Sequence, residues 1–274
     1  VAGGPFDNSR TKLQKGSLIT AIDGEKLEAG KDYFPLLNDK VGKRLLVSFR
    51  TASGEQVDEV IRPISSSALN DLLYKRWVKQ RAEEVERVSK GTLGYVHIPS
   101  MGDPSFRTVY SDVMGKYYQK KGIVIDIRYN GGGRLHEDIE AFFTGKHYAD
   151  QVVRDRQYSE MSSRRWNRPS VLVTCEADYS NAHGTPWVYQ HLKVGKVVGM
   201  PVAGTMTSVN WVTLLDPSVY FGIPAVGFRL FDGRYLENTQ MEPDVVVPLD
   251  PTKVLQGVDT QIEKAVEVLR AETK

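Results

Sequence analysis

A run of three glycines is the first feature of this chain that could contribute to a reactive site. Gly131–Gly133 follows the apolar run GIVIDI and the triplet Arg128-Tyr129-Asn130, and it leads into a predicted helix. Consecutive glycines let backbone N–H groups approach a ligand closely, and such donors stabilise a phosphate or a developing oxyanion. The stretch lacks the Lys-Ser/Thr of a phosphate loop and the glycine spacing of a dinucleotide site. A tight structural turn would use the same glycines, so the motif alone leaves both interpretations open.

Two further residues have types and positions that suit nucleophilic catalysis. Ser180 lies in EADYSNAHG, between the strand-like run SVLVT and a predicted helix. This is the position of a nucleophile elbow, although the sequence is not G-x-S-x-G, and a helix N-cap serine would look the same. Glu237 lies in RYLENTQMEPDVVV, before a turn and a Pro-Asp pair that enters a strand. An isolated Glu there also suits an exposed surface.

The elements that must position these residues follow an α/β pattern from Gly91 onward. Apolar runs predict strands, and apolar residues spaced three and four apart predict helices between them. This alternation indicates a mixed sheet covered by helices. The predicted strands are 93–98, 122–127, 170–174, 196–200, 209–215, 220–222, 226–230 and 245–247, and the predicted helical faces centre on 106–117, 135–143, 188–192 and 262–269.

Residues 7–64 have a different pattern, which indicates a small β-rich unit. A strand-like run over 18–22 ends at the turn signal Asp23-Gly24, and Leu45, Val47 and Phe49 alternate as in a half-buried strand. The segment KGSLITAIDGEKL resembles the core of PDZ domains inserted in serine peptidases, with Ser17 where Asp is usual. A small β-barrel spacer without a ligand is the alternative.

The order of the three site features, together with GYVHIP, GKVVG and GVDTQIEKAVEVL, resembles the S41 family of serine peptidases. The processing proteases of that family use a Lys base after the serine, but the matching stretch AGTMTSV has no Lys. The chain is therefore similar to the tricorn branch, which uses a Ser–His–Ser–Glu tetrad. The resemblance implies Ser180 as nucleophile, Glu237 as the tetrad Glu, and oxyanion N–H donors from Asn181 and from Gly133 or Gly132.

The resemblance also implies a domain organisation. It predicts a truncated PDZ-like domain over 1–66, a helical linker over 67–90, and a ClpP/crotonase-like α/β core of S41 type over 91–274. The family's His and second Ser precede the PDZ domain, so we expect the base upstream of Val1 and little activity from this chain alone. His183, three residues after Ser180, is the local alternative. The other histidines, predicted to be core, packing or surface residues, are His97, His136, His147 and His191.

The composition and charge of the chain limit the classes of partner and site that it can have. The net charge is +2, so no strong field attracts nucleic acid, and no apolar run is long enough to span a membrane. The basic stretch from Arg154 to Arg168 is interrupted by acids and is interpreted as a solvated loop. One cysteine excludes an internal disulfide framework and a multi-cysteine zinc site. The single cysteine and the PDZ-like unit favour the periplasm or cell envelope over the cytoplasm.

The predicted substrate is a peptide or an unfolded protein, and the chemistry needs no metal or organic cofactor. Asp150 lies where the tricorn branch carries an Asp that selects basic side chains, although a plain loop Asp fits equally. A homo-oligomer is left open. Two alternatives remain: a non-catalytic binding module of S41 fold, and an acyl-CoA enzyme of the related crotonase type, which needs no nucleophilic serine.

Overall fold

A computed structural model describes residues 1–273 of the chain. The chain separates into two compact units, Val1–Gln80 and Arg81–Lys274. The boundary between them lies within one long helix, Ser66–Ser89.

The first unit is built on a four-stranded antiparallel sheet of order β2-β1-β3-β4, whose strands are β1 (Leu18–Ile22), β2 (Glu25–Lys26), β3 (Leu45–Arg50) and β4 (Gln56–Ile61). Leu45, Val47 and Phe49 are buried in its small core, as their alternation predicts. The turn between β1 and β2 uses Asp23 and Gly24, both with positive φ. A single 3₁₀ turn, Phe34–Leu37, lies between β2 and β3.

The remaining elements follow in chain order. They are α1 (Ser66–Ser89), β5 (Leu93–His97), α2 (Asp103–Ser111), β6 (Gly122–Asp126), α3 (His136–Phe143), β7 (Ala149–Val153), β8 (Arg156–Met161), β9 (Ser170–Thr174), α4 (Asn181–His191), β10 (Lys196–Gly199), β11 (Ser208–Thr213), β12 (Tyr220–Val226), β13 (Val245–Val246), α5 (Pro251–Leu255) and α6 (Thr260–Glu272).

The second unit has an α/β fold, as predicted. Its main sheet has five strands in the order β13-β10-β9-β6-β5, and every neighbouring pair is parallel. The antiparallel pairs of this unit lie apart from the main sheet, in the two-stranded ribbons β7–β8 and β11–β12. Strands β6 and β9 are buried along their whole length, which explains why they read as continuous apolar runs rather than as alternating ones.

Two local predictions were wrong. The strand expected over 226–230 does not form, because β12 ends at Val226 and only an isolated bridge, Arg229 to Tyr235, follows. The basic stretch after residue 149, expected to be a loop, contains the exposed hairpin β7–β8. The helical face predicted over 106–117 does form, as α2 to Ser111 and then as a π-helical segment, Asp112–Lys116.

The parallel arrangement decides where the site lies. Strands β5, β6, β9 and β10 run in the same direction, so the segments that follow them leave at one edge of the sheet. In parallel α/β sheets ligands bind outside this carboxyl edge. The triple glycine follows β6, Ser180 follows β9, and the stretch Ala203–Thr207 follows β10.

Candidate active site

Backbone hydrogen bonds join these segments across the carboxyl edge. The Met101 N–H, after β5, donates to the Gly132 carbonyl at 2.8 Å. The Tyr179 N–H, after β9, donates to the Asn130 carbonyl at 2.9 Å. The Ser180 N–H donates to Thr205 Oγ1, after β10, at 3.0 Å. These hydrogen bonds hold the segments that follow β5, β6, β9 and β10 together around Ser180.

Ser180 occupies a strained backbone conformation. Its φ is 57° and its ψ is −121°, a combination that residues with a Cβ seldom adopt. The residue immediately precedes α4, and the carbonyl of Ser180 accepts the His183 N–H at 2.8 Å. This is the sharp strand-to-helix turn that exposes a serine hydroxyl above an α/β sheet. The elbow therefore forms without the usual flanking glycines.

The triple glycine packs directly against this turn. A Cβ on Gly132 would lie 2.6 Å from the Ser180 Cβ and 2.9 Å from the Tyr179 carbonyl oxygen. Its φ of +95° also belongs to the region that favours glycine. A Cβ on Gly133 would collide with the Met101 carbonyl. Only glycine at 132 and 133 lets the loop approach Ser180 and Met101 this closely.

The expected oxyanion donors differ in availability. The Gly132 N–H donates to Asn130 Oδ1 at 2.8 Å, so the expectation that Gly132 is a donor is corrected: this N–H is already engaged. The N–H groups of Asn181 and Gly133 have no hydrogen-bond partner within residues 1–273. The Asn181 N–H also lies at the N-terminus of α4, where the helix favours negative charge.

Asn181 has a second role that the sequence did not reveal. Its side-chain Oδ1 accepts the N–H groups of Leu135 and His136 at 2.9 and 3.1 Å, and its Nδ2 lies 2.7 Å from His136 Nδ1. The side chain is buried. It therefore ties the glycine loop and the start of α3 to the helix that begins directly after Ser180.

Asp178 and Asn130 support both turns from beneath. The Asp178 carboxylate, 2 % exposed, accepts the N–H groups of Cys175 at 3.0 Å and Asn130 at 3.2 Å. Asn130 Nδ2 donates to the Ile98 carbonyl at 2.8 Å. Burial raises the pKa of Asp178 to about 7, although the hydrogen bonds from Cys175 and Asn130 oppose the shift. Sequence reasoning missed Asp178, because nothing distinguishes it from a loop aspartate.

A buried ionic cluster anchors the end of β6. The Arg128 guanidinium donates to Asp126 at 2.7 and 2.9 Å, to Asp259 at 2.9 Å, and to the Gln261 side chain at 2.9 Å. Desolvation opposes ionisation of Asp126, yet the neighbouring guanidinium keeps the pKa of this carboxyl below its usual value. Arg128 thus connects the strand that precedes the glycine loop to the N-terminus of α6. The sequence analysis noted Arg128 only as part of the triplet that precedes the triple glycine.

Glu237 is held by the segment that also contacts Ser180. Its Oε2 accepts the Thr207 N–H at 2.7 Å, two residues after the Thr205 hydroxyl that receives the Ser180 N–H. Burial works against ionisation, but the hydrogen bonds from Thr207 and Met206 lower the pKa of Glu237 below its ordinary value. The carboxylate is therefore ionised at neutral pH and is connected to Ser180 through this segment, without a direct hydrogen bond between the two residues.

Each of the five histidines contacts a group other than the Ser180 hydroxyl. His183 is fully buried; its Nε2 donates to the Thr239 carbonyl at 2.9 Å, and its Nδ1 has no partner within residues 1–273. Desolvation lowers the pKa of His183. The remaining contacts are His97 Nε2 with the Arg128 carbonyl, His136 Nδ1 with Asn181, His147 Nε2 with Asp150, and the His191 ring with Trp187. None of these histidines is hydrogen-bonded to the Ser180 hydroxyl in the described residues.

Asp150 lies in the exposed strand β7. Its Oδ1 contacts His147 Nε2 at 2.8 Å and accepts from Gln157 Nε2 at 2.9 Å, and both partners lie within seven residues of it in the chain. A role in substrate selection stays a prediction. Within residues 1–273 there is no cluster of three or more acidic, histidine or cysteine side chains suited to a metal. The same residues include no helix with the length and apolarity of a membrane span.

Comparison with known proteins identifies the family. The model of peptidase family S41 matches residues 92–247. Tricorn protease from Thermoplasma acidophilum is 27% identical over 94% of this chain, and the tricorn protease homolog from Saccharolobus solfataricus is 26% identical over 96%. Each match covers 24% of the relative, so the chain spans about a quarter of the length of these curated relatives.

Solved structures agree with the sequence matches. The crystal structure of the tricorn protease superposes with a TM-score of 0.79 at 26% identity, over 94% of this chain and 25% of that one. Mature CPAF complexed with lactacystin shares the fold at 10% identity, with a TM-score of 0.52. Because the family match extends over more than half of the chain and includes both the glycine loop and the serine turn, the chain belongs to peptidase family S41.

Proposed function

We propose that this chain is the catalytic part of a serine-type peptidase of the tricorn branch, acting on peptides or unfolded proteins. The observation that carries the proposal is the strained Ser180 turn beside two unpartnered backbone N–H groups, those of Asn181 and Gly133. The relatives that match nearly the whole chain are named tricorn proteases, which supports the same reaction class.

In the proposed reaction the Ser180 Oγ attacks the peptide carbonyl carbon while a general base takes the hydroxyl proton. The carbonyl oxygen becomes an oxyanion and accepts from the Asn181 and Gly133 N–H groups, each worth ~10²–10³ in rate. The base returns its proton to the leaving amine as the C–N bond breaks. Water then hydrolyses the Ser180 ester by the same route. Gly132 provides space beside Ser180 rather than a hydrogen bond.

We assign the general base to a group outside these 274 residues. The support is that His183, the nearest histidine in sequence, donates its Nε2 proton to Thr239 and is fully buried. The proposal keeps residues 1–66 as a PDZ-like domain, 67–90 as a helical linker and 91–274 as the catalytic core. It follows that the chain alone is nearly inactive, since loss of the base can cost ~10⁶ in turnover.

Labelling with a fluorophosphonate probe, mapped by mass spectrometry, tests the proposal. The 274-residue chain, the same chain extended upstream, and Ser180→Ala versions of both should be compared. We expect rapid labelling of Ser180 only in the extended protein. Equal labelling of both lengths would contradict the external base and implicate a local group such as His183. An unlabelled Ser180 in every form would refute the peptidase and favour a ligand-binding module.

Glu237 is proposed to orient the base rather than to accept the proton itself. Glu237→Gln in the extended protein should lower kcat while the unfolding midpoint stays within a few degrees of wild type. Glu242→Gln is the matched control, because its carboxylate is exposed and accepts a hydrogen bond from the nearby Gln240 side chain. Unchanged kcat in Glu237→Gln would remove Glu237 from the mechanism.

A further inference from the structure

A cavity of about 850 Å³ lies beside α4, the helix that follows Ser180. Its walls come from the start of α3, from the second half of α4, and from residues 227–236. This volume lies within the range of roughly 300–1,000 Å³ that is typical of ligand pockets. The sequence analysis predicted no binding site here, since the residues that line the cavity are dispersed over about 100 positions of the chain.

Three of the lining residues connect the cavity to the proposed site. His136 contacts Asn181, whose backbone N–H is a proposed oxyanion donor, at 2.7 Å. Met206 lies between Thr205, which accepts the Ser180 N–H, and Thr207, which donates to Glu237. Leu236 immediately precedes Glu237. A molecule in this cavity therefore lies against the elements that hold the nucleophile, the oxyanion donor and the tetrad Glu.

The walls are apolar and aromatic. The Trp187 ring stacks on His191 with centroids 4.6 Å apart, and the Phe228 ring meets His136 edge-on at 6.1 Å. Leu230 is half-buried, and Phe231 is fully exposed at the tip of the loop. An apolar side chain of a ligand would bury surface on all of these groups.

The charges on the cavity disfavour a basic ligand. Among the lining residues that the structure describes, Asp232 is the single acid, and it is ion-paired with Arg234 at 2.8 Å. Arg229 adds an exposed cation to the same rim. Asp150, expected to select basic side chains, does not line this cavity.

We propose that this cavity receives a large apolar side chain, aromatic or Leu/Met, from the peptide substrate at a position close to the scissile bond. The inference rests on the proposed peptidase function and adds the substrate class. It predicts that cleavage depends on a bulky apolar residue at one fixed position rather than on Lys or Arg.

Cleavage profiling of a proteome-derived peptide library tests it, using the protein that includes the proposed base. We expect Phe, Tyr, Trp, Leu or Met to be enriched at one position relative to the cut, with kcat/KM at least about tenfold above that for Ala there. Leu230→Glu should reduce this ratio about tenfold or more. Phe231→Glu should act in the same direction, and its full exposure protects it from folding defects.

The matched control is Leu215→Glu, at a fully exposed leucine that does not line the cavity. It should keep the wild-type profile. Cleavage with no apolar preference, with a basic preference, or with a profile unchanged in both Leu230→Glu and Phe231→Glu would overturn the inference and leave the peptidase function intact. Absence of any cleavage would overturn the peptidase function, and this inference with it.

Discussion

The turns at the carboxyl edge and the β11–β12 hairpin are opposite kinds of structure. At the edge, Asn130, Asp178 and Arg128 are buried polar residues, and each is bound to several partners. In the hairpin, Trp211, Tyr220 and other apolar side chains are more than half exposed on both faces of a two-stranded ribbon. The edge therefore gains its geometry from satisfied buried hydrogen bonds, whereas the ribbon contributes little buried surface.

This difference predicts where substitutions matter. Removing the partner of a buried polar group lowers the unfolding free energy far more than replacing an exposed apolar side chain does. The edge should respond strongly to conservative changes, and the ribbon should tolerate radical ones.

The largest effect is expected for Arg128→Met, which leaves Asp126 and Asp259 without their shared cation in the interior. Removing one partner of a buried ion pair typically costs about 3–5 kcal/mol of unfolding free energy. Urea denaturation measures it. Arg107→Met is the control, since its pair with Asp103 is exposed and should contribute less than about 1 kcal/mol. Equal losses in the two variants would remove the distinction between the buried cluster and the surface.

Asp178 should make stability depend on pH. Its pKa rises from 3.8 to about 7 on folding, so the contribution is fully present below pH 4 and is lost as pH rises through 7. The shift corresponds to a difference on the order of 4 kcal/mol. Asp178→Asn should flatten the fall in unfolding free energy between pH 4 and pH 7, as followed by urea denaturation across that range.

The control for Asp178 is Asp138→Asn, at an exposed acid in the first turn of α3. It should keep the wild-type slope with pH. Parallel pH profiles for wild type and Asp178→Asn would show that another group causes the dependence.

Gly132→Ala should cost about 1–3 kcal/mol, because its Cβ would lie 2.6 Å from the Ser180 Cβ at a positive φ. In the protein that includes the proposed base, peptide hydrolysis should fall by ~10²-fold, since displacement of a reacting group by about 1 Å has that effect. Gly131→Ala is the matched control, because a Cβ there meets nothing within 4 Å. For both variants, the unfolding free energy measures the effect on stability and kcat measures the effect on hydrolysis. A wild-type kcat in Gly132→Ala would mean that the loop can withdraw from Ser180 without consequence.

The smallest effect is expected in the hairpin. Leu215 lies fully exposed in the turn between β11 and β12, so Leu215→Ser should change the unfolding free energy by less than about 0.5 kcal/mol. Thermal or urea denaturation checks this value. A loss above 1 kcal/mol would indicate that the ribbon is a stabilising part of the unit, and the contrast with the edge would weaken.

The sequence predicted most of the fold because the signals are local. Continuous apolar runs indicated β6 and β9, and alternation indicated β3. The failures have local causes as well. β7–β8 is exposed and charged, so it has no apolar pattern to recognise, and the apolar residues after Val226 line a cavity rather than a sheet.

For the site, residue types and their order along the chain were enough to predict the chemistry: a serine between a strand and a helix, a glycine loop and an isolated Glu, in an order that resembles family S41, whose model matches residues 92–247. These depend on residue type and order along the chain. Which of these groups are free to bind a ligand became clear from the three-dimensional contacts. The Gly132 N–H is consumed by Asn130, His183 is turned toward Thr239, and Asp178 lies beneath both turns. Hydrogen-bond partners and burial arise between segments that are distant in sequence, and no local pattern encodes them.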